Sequence, residues 1–475
     1  MSGVALRIAR EEWRALARNK VAVIAAALLL ALIVTSTLIS IEKKAAIDAA
    51  RAQYQTEQIE RFYSQPDRHP HRMVHYGQFV FRPLSPLAFF DFGVDAYTGN
   101  MVFLEGHRQN SANFAEARQS SLLLRFGQLT PAFVLQTLAP LLVIFLAFRA
   151  IAGERERGTL RLMLAQGIGG RQLVAGKLLA HGGVAGLILL PALLALGIMA
   201  AAAGAPAGQA LLLMAGYAAY LMVWTLAALL VSALVQRGRD ALLALVALWM
   251  VTVVLLPRVL PEVAAARQGL PTRIETDVAI GRELKAIGDS HNPDDPYFNA
   301  FRQRVLQRYG VDDVLDLPVQ YAGLVGMEGE RLTSELFDRH AAEAFAREDR
   351  QNAFVRAFGA ASPLIAVRQL SMTLAGTDAD SHQDFLLQAE RYRYDFVQRL
   401  NRMQVDHIPN RNPGFDPRID ASHWLEVPAF DYRAPRPLSY AGGRIAAAAA
   451  ILALWLAGLA LLLVMAGRRL GRIAR

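Results

Sequence analysis

Six apolar stretches free of Asp, Glu, Lys and Arg divide the chain, at about 21 to 41, 128 to 148, 178 to 203, 209 to 235, 241 to 257 and 445 to 467. A hydrocarbon core about 30 Å thick is crossed by a helix of roughly 20 apolar residues, so each stretch predicts a membrane span. The fifth, closing on Pro257, is the shortest. The first is longer than the apolar run of about 7–15 residues in a secretion signal, and reads as an uncleaved anchor.

Two long insertions, 42–127 and 258–444, make up more than half of the 475 residues. In the first, a charged helical stretch, EKKAAIDAARAQYQTEQIERFY, continues span 1 outward, and HYGQFVFRPLSPLAFFDFG then shows short strand-like alternation with turn formers. In the second, FNAFRQRVLQRYG, ERLTSELFDRHAAEAFAREDRQNAFVRAF and HQDFLLQAERYRYDFVQRLNRM repeat apolar residues every three or four positions, predicting helices. Asn292-Pro293 and Ser362-Pro363 interrupt them, and Ile408 to Pro437 is Pro-rich and irregular. The predicted fold is an α-helical polytopic membrane protein with a mainly helical domain, with minor β, outside the bilayer.

Composition agrees, with 54% hydrophobic and 19% charged residues. The net charge of +9 raises nucleic acid as a partner until its distribution is seen. With the N-terminus cytoplasmic, 17 Lys and Arg face 5 Asp and Glu on residues 1–20, 149–177, 237–240 and 468–475, giving +12 inside; the remaining 33 bases and 36 acids leave −3 outside. This bias puts both termini in the cytoplasm and the insertions across the membrane. Nucleic acid thereby loses its support, and membrane lipids take its place. RIAREEWRALARNK, with Ile8, Trp13 and Leu16 among bases, predicts an interfacial amphipathic helix over 1–20, the plainer alternative being a charged flank.

Zero cysteines exclude a disulfide framework, thiolate metal sites and a cysteine nucleophile. Ion-coupled transport calls for ionisable groups inside the membrane, and the spans offer His181, Gln136 and scattered Ser and Thr. His181 reads as a packed or interfacial residue, with gating as the alternative. Gly176-Lys177 is followed by Leu178, so no P-loop forms, and HExxH and GxSxG are absent. The chain is therefore expected to be no enzyme and to bind no cofactor, leaving ATP and Mg to a partner ATPase.

The histidines in HPHRMVHY (His69, His71, His75) and LEGHRQN (His107, with Glu105) read first as surface or structural groups; zinc or copper ligation is the alternative. Asp378, Asp380, His382 and Asp384 alternate as in a helix N-cap with a solvated first turn, and His340 with Glu343 suits a solvated helix face. In AGERERGTLRLMLAQGIGGRQLVAGKLL, between spans 2 and 3, a short helix carrying Leu160, Leu162, Met163 and Leu164 suits a groove on a partner, or an ordinary interface.

That last stretch resembles ABC-2 type transporter permeases, through Glu154, Glu156, Gly158, Thr159, Leu160, Arg171, Gly176 and Lys177. LPVQYAGL, Glu330, SPLIAVRQLSMTLAGTD, His382, Phe385 and AERYR resemble a subgroup of these permeases with a large extracytoplasmic domain between spans 5 and 6, and HYGQFVFRP and LEGHRQN resemble the same subgroup. The likeness implies cytoplasmic ABC ATPase subunits, a second permease copy or related permease, and a possible periplasmic partner. Within it, 149–177 is the coupling segment, with Glu154, Arg155, Glu156, Gly158, Thr159, Leu160 and Arg171 at the ATPase, and Ser371, Met372, Gly376, Thr377, Asp378 and His382 form the extracytoplasmic motif. The implied setting is a bacterial inner membrane with the large domain in the periplasm. The implied function is export, with mechanical action on a periplasmic protein, lipoprotein or cofactor as the alternative; a membrane-anchored metal-binding or sensor protein is the third reading.

Overall fold

The structure, a computed structural model, describes residues 2–110, 128–202, 204–288, 292, 294–412, 414 and 416–472. Six helices among them are long and apolar enough to cross a membrane: span 1, Lys20–Tyr63; span 2, Pro131–Glu156; span 3, Gly170–Ala202; span 4, Ala207–Leu234; span 5, Gly238–Arg267; span 6, Pro437–Gly471. The most apolar stretch of span 4 is 72% buried and that of span 2 61%, against 17% for span 5. Spans 2 and 4 therefore form the centre of the bundle, and the outer spans turn most of their apolar surface outward, as a lipid solvent permits.

Span 1 is capped by Asn19, whose side chain accepts from the Ala22 amide at 3.3 Å, and runs unbroken to Tyr63. Its 44 residues reach roughly 66 Å at 1.5 Å per residue, about twice a bilayer core, so it projects into the first insertion as the charged continuation predicts. The N-terminal helix Ser2–Arg18 lies against span 3, with Ile8 over Gly176 and Trp13 over Gly183.

Spans 2 and 5 each contain one π-helical turn, Val134–Leu138 and Met250–Leu255, just ahead of Pro140 and Pro257. A proline has no N–H to donate and crowds the preceding turn, leaving carbonyls that need other donors inside a bilayer. Tyr220 of span 4 donates to the Gln136 carbonyl at 2.7 Å, and Ser362 of the second insertion donates to the Thr252 carbonyl at 2.6 Å. These tertiary donors let span 5 stay helical through Pro257 to Arg267, beyond the end its apolar run suggests.

The two insertions form one body. The helix Pro70–Tyr76 and the outer end of span 1 share a core with the helix Ala379–His407 and the 408–427 segment, through Phe62, Met73, Val74, Phe396, Leu400 and Trp424. A two-stranded antiparallel sheet, β1 (Gln78–Phe81) and β2 (Met101–Leu104), pairs Gln78 with Leu104 and Phe81 with Met101 and packs Val80, Val102 and Leu104 on Phe385 and Ala389. The long helix Tyr321–Ala357 covers Ala379–His407. The helix Pro363–Ala375 leaves this body and packs on spans 4 and 6, its Leu364, Val367, Leu370 and Leu374 belonging to the same hydrophobic core as Tyr217, Trp224 and Ile445.

Candidate functional site

Between spans 2 and 3 the chain makes an elbow. Span 2 ends with Ala152–Glu156, a second short helix runs Thr159–Ala165, and Gly158 joins them with φ of 76°, in the left-handed region that a side chain disfavours. A Cβ there would meet nothing within 4 Å, so the demand is on backbone conformation, not on space.

The inner half of the elbow is tied to its neighbours. The Ile151 and Ala152 amides both donate to Ser232 Oγ at 3.0 Å, and Arg155 donates to the carbonyls of Ala233, at 2.8 Å, and Val235. Glu156 accepts from the Gly238 amide at 2.8 Å and pairs with Arg149 at 3.2 Å. Glu154 pairs with Lys177 of span 3 at 3.2 Å; Lys177 also reaches Glu12 of the N-terminal helix at 2.5 Å, and His181 meets Glu12 at 3.1 Å. Burial pushes the Glu12 carboxyl up, but the His181 hydrogen bond and the Lys177 ammonium outweigh it and hold Glu12 below the ordinary carboxylate range. His181 is thus a packed residue with a carboxylate partner. Thr159 donates to Glu154, and Leu160 and Leu164 enter the main core. Arg157, Gly158, Arg161, Leu162 and Arg171 remain exposed, Leu162 at 59%. The apolar side chains of the short helix therefore split: Leu160 and Leu164 face inward, Leu162 outward, Met163 between.

The second site is a buried polar chain joining the bundle to the insertion body. Gln136 of span 2 donates to the Tyr217 hydroxyl at 2.7 Å, Tyr217 of span 4 donates to Ser371 Oγ at 2.9 Å, and Ser371 donates to Asp91 Oδ2 at 2.6 Å. All four are buried, so each removes a desolvation penalty from the next. Gly376 closes the Pro363–Ala375 helix with φ of 67°, Thr377 donates to the Asp91 carbonyl at 2.8 Å, and Asp378 caps the following helix by accepting from the Ser381 amide at 3.0 Å. The predicted N-cap is present, but its first turn is not solvated: Asp378 is 3% exposed and also accepts from Thr373 at 2.9 Å and from Tyr440 of span 6 at 3.1 Å. The Met372 carbonyl accepts from the Thr377 amide at 2.9 Å, while its side chain packs half-buried. Beside the chain lies a cavity of about 420 Å³ lined by Asp91, Tyr97, Gln136, Arg258 and Arg368 among others.

The histidines of the first insertion separate into two groups. His71, His75 and His107 bring ring nitrogens within 4.8 Å of one another. His69 instead caps the Pro70–Tyr76 helix, its Nδ1 accepting from the His71 amide at 3.1 Å, and Glu105 accepts from Asn110 at 3.2 Å. His382 is mostly buried, and burial together with Arg82 pushes it down to about 4, so it is neutral at pH 7. His340 meets Glu283 at 2.9 Å, where a solvated face is predicted.

Residues 6–309, well over half of the chain, match the sequence profile of ABC-2 family transporter proteins. The chain belongs to the ABC-2 transporter family. Residues 273–433 match a second profile, described as a domain of unknown function (DUF3526). Among curated proteins, the probable ABC transporter permease protein NosY of Pseudomonas aeruginosa is 47% identical over 53 residues, 11% of this chain and 19% of that protein. The chain thus matches about a fifth of that relative's length.

In this ABC-2 transporter the elbow lies within the first match and Ser371 to His382 within the second. Asp91 and Tyr217 carry no motif of their own. Their one signal in the sequence is Gln136, an uncharged polar residue in a span, which requires a partner. Gln136 meets Tyr217 81 positions on, and Asp91 meets Ser371 280 positions on.

Proposed function

We propose that this chain is the permease subunit of an ATP-driven exporter of the bacterial inner membrane, with both termini cytoplasmic and the insertion body in the periplasm. Separate ABC ATPase subunits bind ATP and Mg and rest on the 149–177 segment, and a second permease copy or a related permease completes the membrane path. The elbow at Gly158 carries this reading: Glu154, Arg155 and Glu156 clamp its inner half to spans 3, 4 and 5, while Gly158, Arg161, Leu162 and Arg171 face outward. A load on the exposed half is transmitted to three spans at once. Thr159 and Leu160 fix the angle between the halves, through the bond to Glu154 and burial in the core. An ATPase shifts such a device only by binding its two conformations with different affinity.

The test is to co-express the chain with a separate ABC ATPase subunit and reconstitute the complex in lipid vesicles. Leu162→Asp, at an exposed side chain, is expected to leave the thermal unfolding of the permease unchanged and to lower ATPase co-purification at least tenfold. Undiminished association would refute the contact. A second reading, mechanical action on a periplasmic protein, lipoprotein or cofactor, is favoured by the buried link from Gln136 through Ser371 to Asp91, which makes the insertion body move with the spans. Under export, Ala132→Trp in the cavity wall blocks function; under mechanical action, function survives it.

A further inference from the structure

The His71, His75 and His107 cluster is used by neither the elbow nor the buried chain, and its construction is that of a ligand set. His71 and His75 stand four residues apart on Pro70–Tyr76, so their rings share one helix face, and their Nε2 atoms lie 3.2 Å apart. Two nitrogens bound tetrahedrally to one zinc at about 2.0–2.1 Å are separated by roughly 3.3 Å. His107 comes from the turn after β2, where its own φ is 65°, uncommon outside glycine and asparagine. Gly106 makes that approach possible: its amide donates to the Val74 carbonyl at 3.2 Å, and a Cβ on it would lie 2.3 Å from Val74 Cγ1.

The third ring is also oriented from behind. Glu330 Oε2 lies 3.2 Å from His107 Nδ1 and accepts from the His107 amide at 3.1 Å, which leaves Nε2 to a ligand. Glu330 is fully buried and held at 2.5 Å by Arg393, itself fully buried. A carboxylate fixing the ring of a ligating histidine is the usual support of a metal site.

We propose that His71, His75 and His107 bind one divalent ion of borderline softness, Zn²⁺ or Cu²⁺, with the fourth position open to solvent. Three imidazoles and no thiolate select this class over Mg²⁺ and Ca²⁺, which take oxygen ligands. The exposed His75 gives the ion an entry path. The proposal is independent of the transport reading, since it is tested without ATPase or cargo.

The full chain, purified in detergent without a polyhistidine tag and stripped with chelator, is titrated with Co²⁺ as an optical probe and then with Zn²⁺ in competition. One equivalent per chain is expected to bind, with a visible ligand-field band that Zn²⁺ abolishes. His75→Ala removes an exposed side chain and is expected to weaken binding at least 100-fold with the unfolding transition unchanged, whereas His69→Asn, which can still cap the Pro70–Tyr76 helix, leaves affinity within about threefold. Glu330→Gln should cost about 10–100-fold. Absence of a saturable single site, or equal affinity in His75→Ala and the parent chain, overturns the assignment.

Discussion

Ser371 links the insertion body to the bundle, because its hydroxyl both accepts from Tyr217 and donates to Asp91. Removing it strands two buried groups at once, each costing about 1–3 kcal/mol when unsatisfied. Ser371→Ala is therefore expected to lower thermal stability in detergent by about 2 kcal/mol or more, with Met372→Leu next to it near neutral; equal midpoints for the two variants would show that the link carries no stability. His382 gives a pH signature instead. Its folded value of about 4 lies below the ordinary 6.5, so the unfolded chain binds more protons between those values and stability falls as pH drops from 6.5 towards 4. At pH 5 that contribution is about 2 kcal/mol, an upper figure for a side chain short of full burial. His382→Asn should flatten this part of the stability–pH curve, and an unchanged slope would reassign the sensitivity to another group.

At the scale of elements, the elbow depends on one backbone conformation. Gly158→Asn, a residue that tolerates a positive φ, is expected to preserve ATPase coupling in the reconstituted complex, whereas Gly158→Val, whose branched Cβ does not, should cost about 1–2 kcal/mol in the elbow and reduce coupling severalfold. Equal coupling in the two would mean that the angle at Gly158 is immaterial. The elements themselves were largely legible, because a span needs about 20 apolar residues in a row and amphipathic helices repeat every three to four. What could not be read was tertiary. No local pattern announces that Pro140 and Pro257 leave carbonyls for Tyr220 and Ser362, so span 5 was expected to stop at Pro257. Asp378 was legible as a cap but not as a buried one, since its partner Tyr440 lies 62 positions on. The histidines show the same limit: helical spacing pairs His71 with His75, but only the Gly106 turn brings in His107, while His69 and Glu105, equally plausible by composition, turn elsewhere.

For the whole molecule the question is which end faces which compartment. The elbow and the N-terminal helix share the Glu12–Lys177–Glu154 cluster, so these two segments lie on one side of the membrane whichever side that is. The +12 summed over 1–20, 149–177, 237–240 and 468–475, against −3 on the rest of the chain, is the ground for the proposed cytoplasmic placement. The native chain has no cysteine, so a single engineered thiol reports without background. Leu162→Cys on the exposed half of the elbow and Ala300→Cys on the insertion body occupy exposed positions. In intact cells with a permeable outer membrane, a membrane-impermeant maleimide is expected to label Ala300→Cys fully and to leave Leu162→Cys below about a tenth of that signal, with both reacting after lysis. The opposite pattern would reverse the molecule in the membrane, and the elbow could then no longer meet a cytoplasmic ATPase.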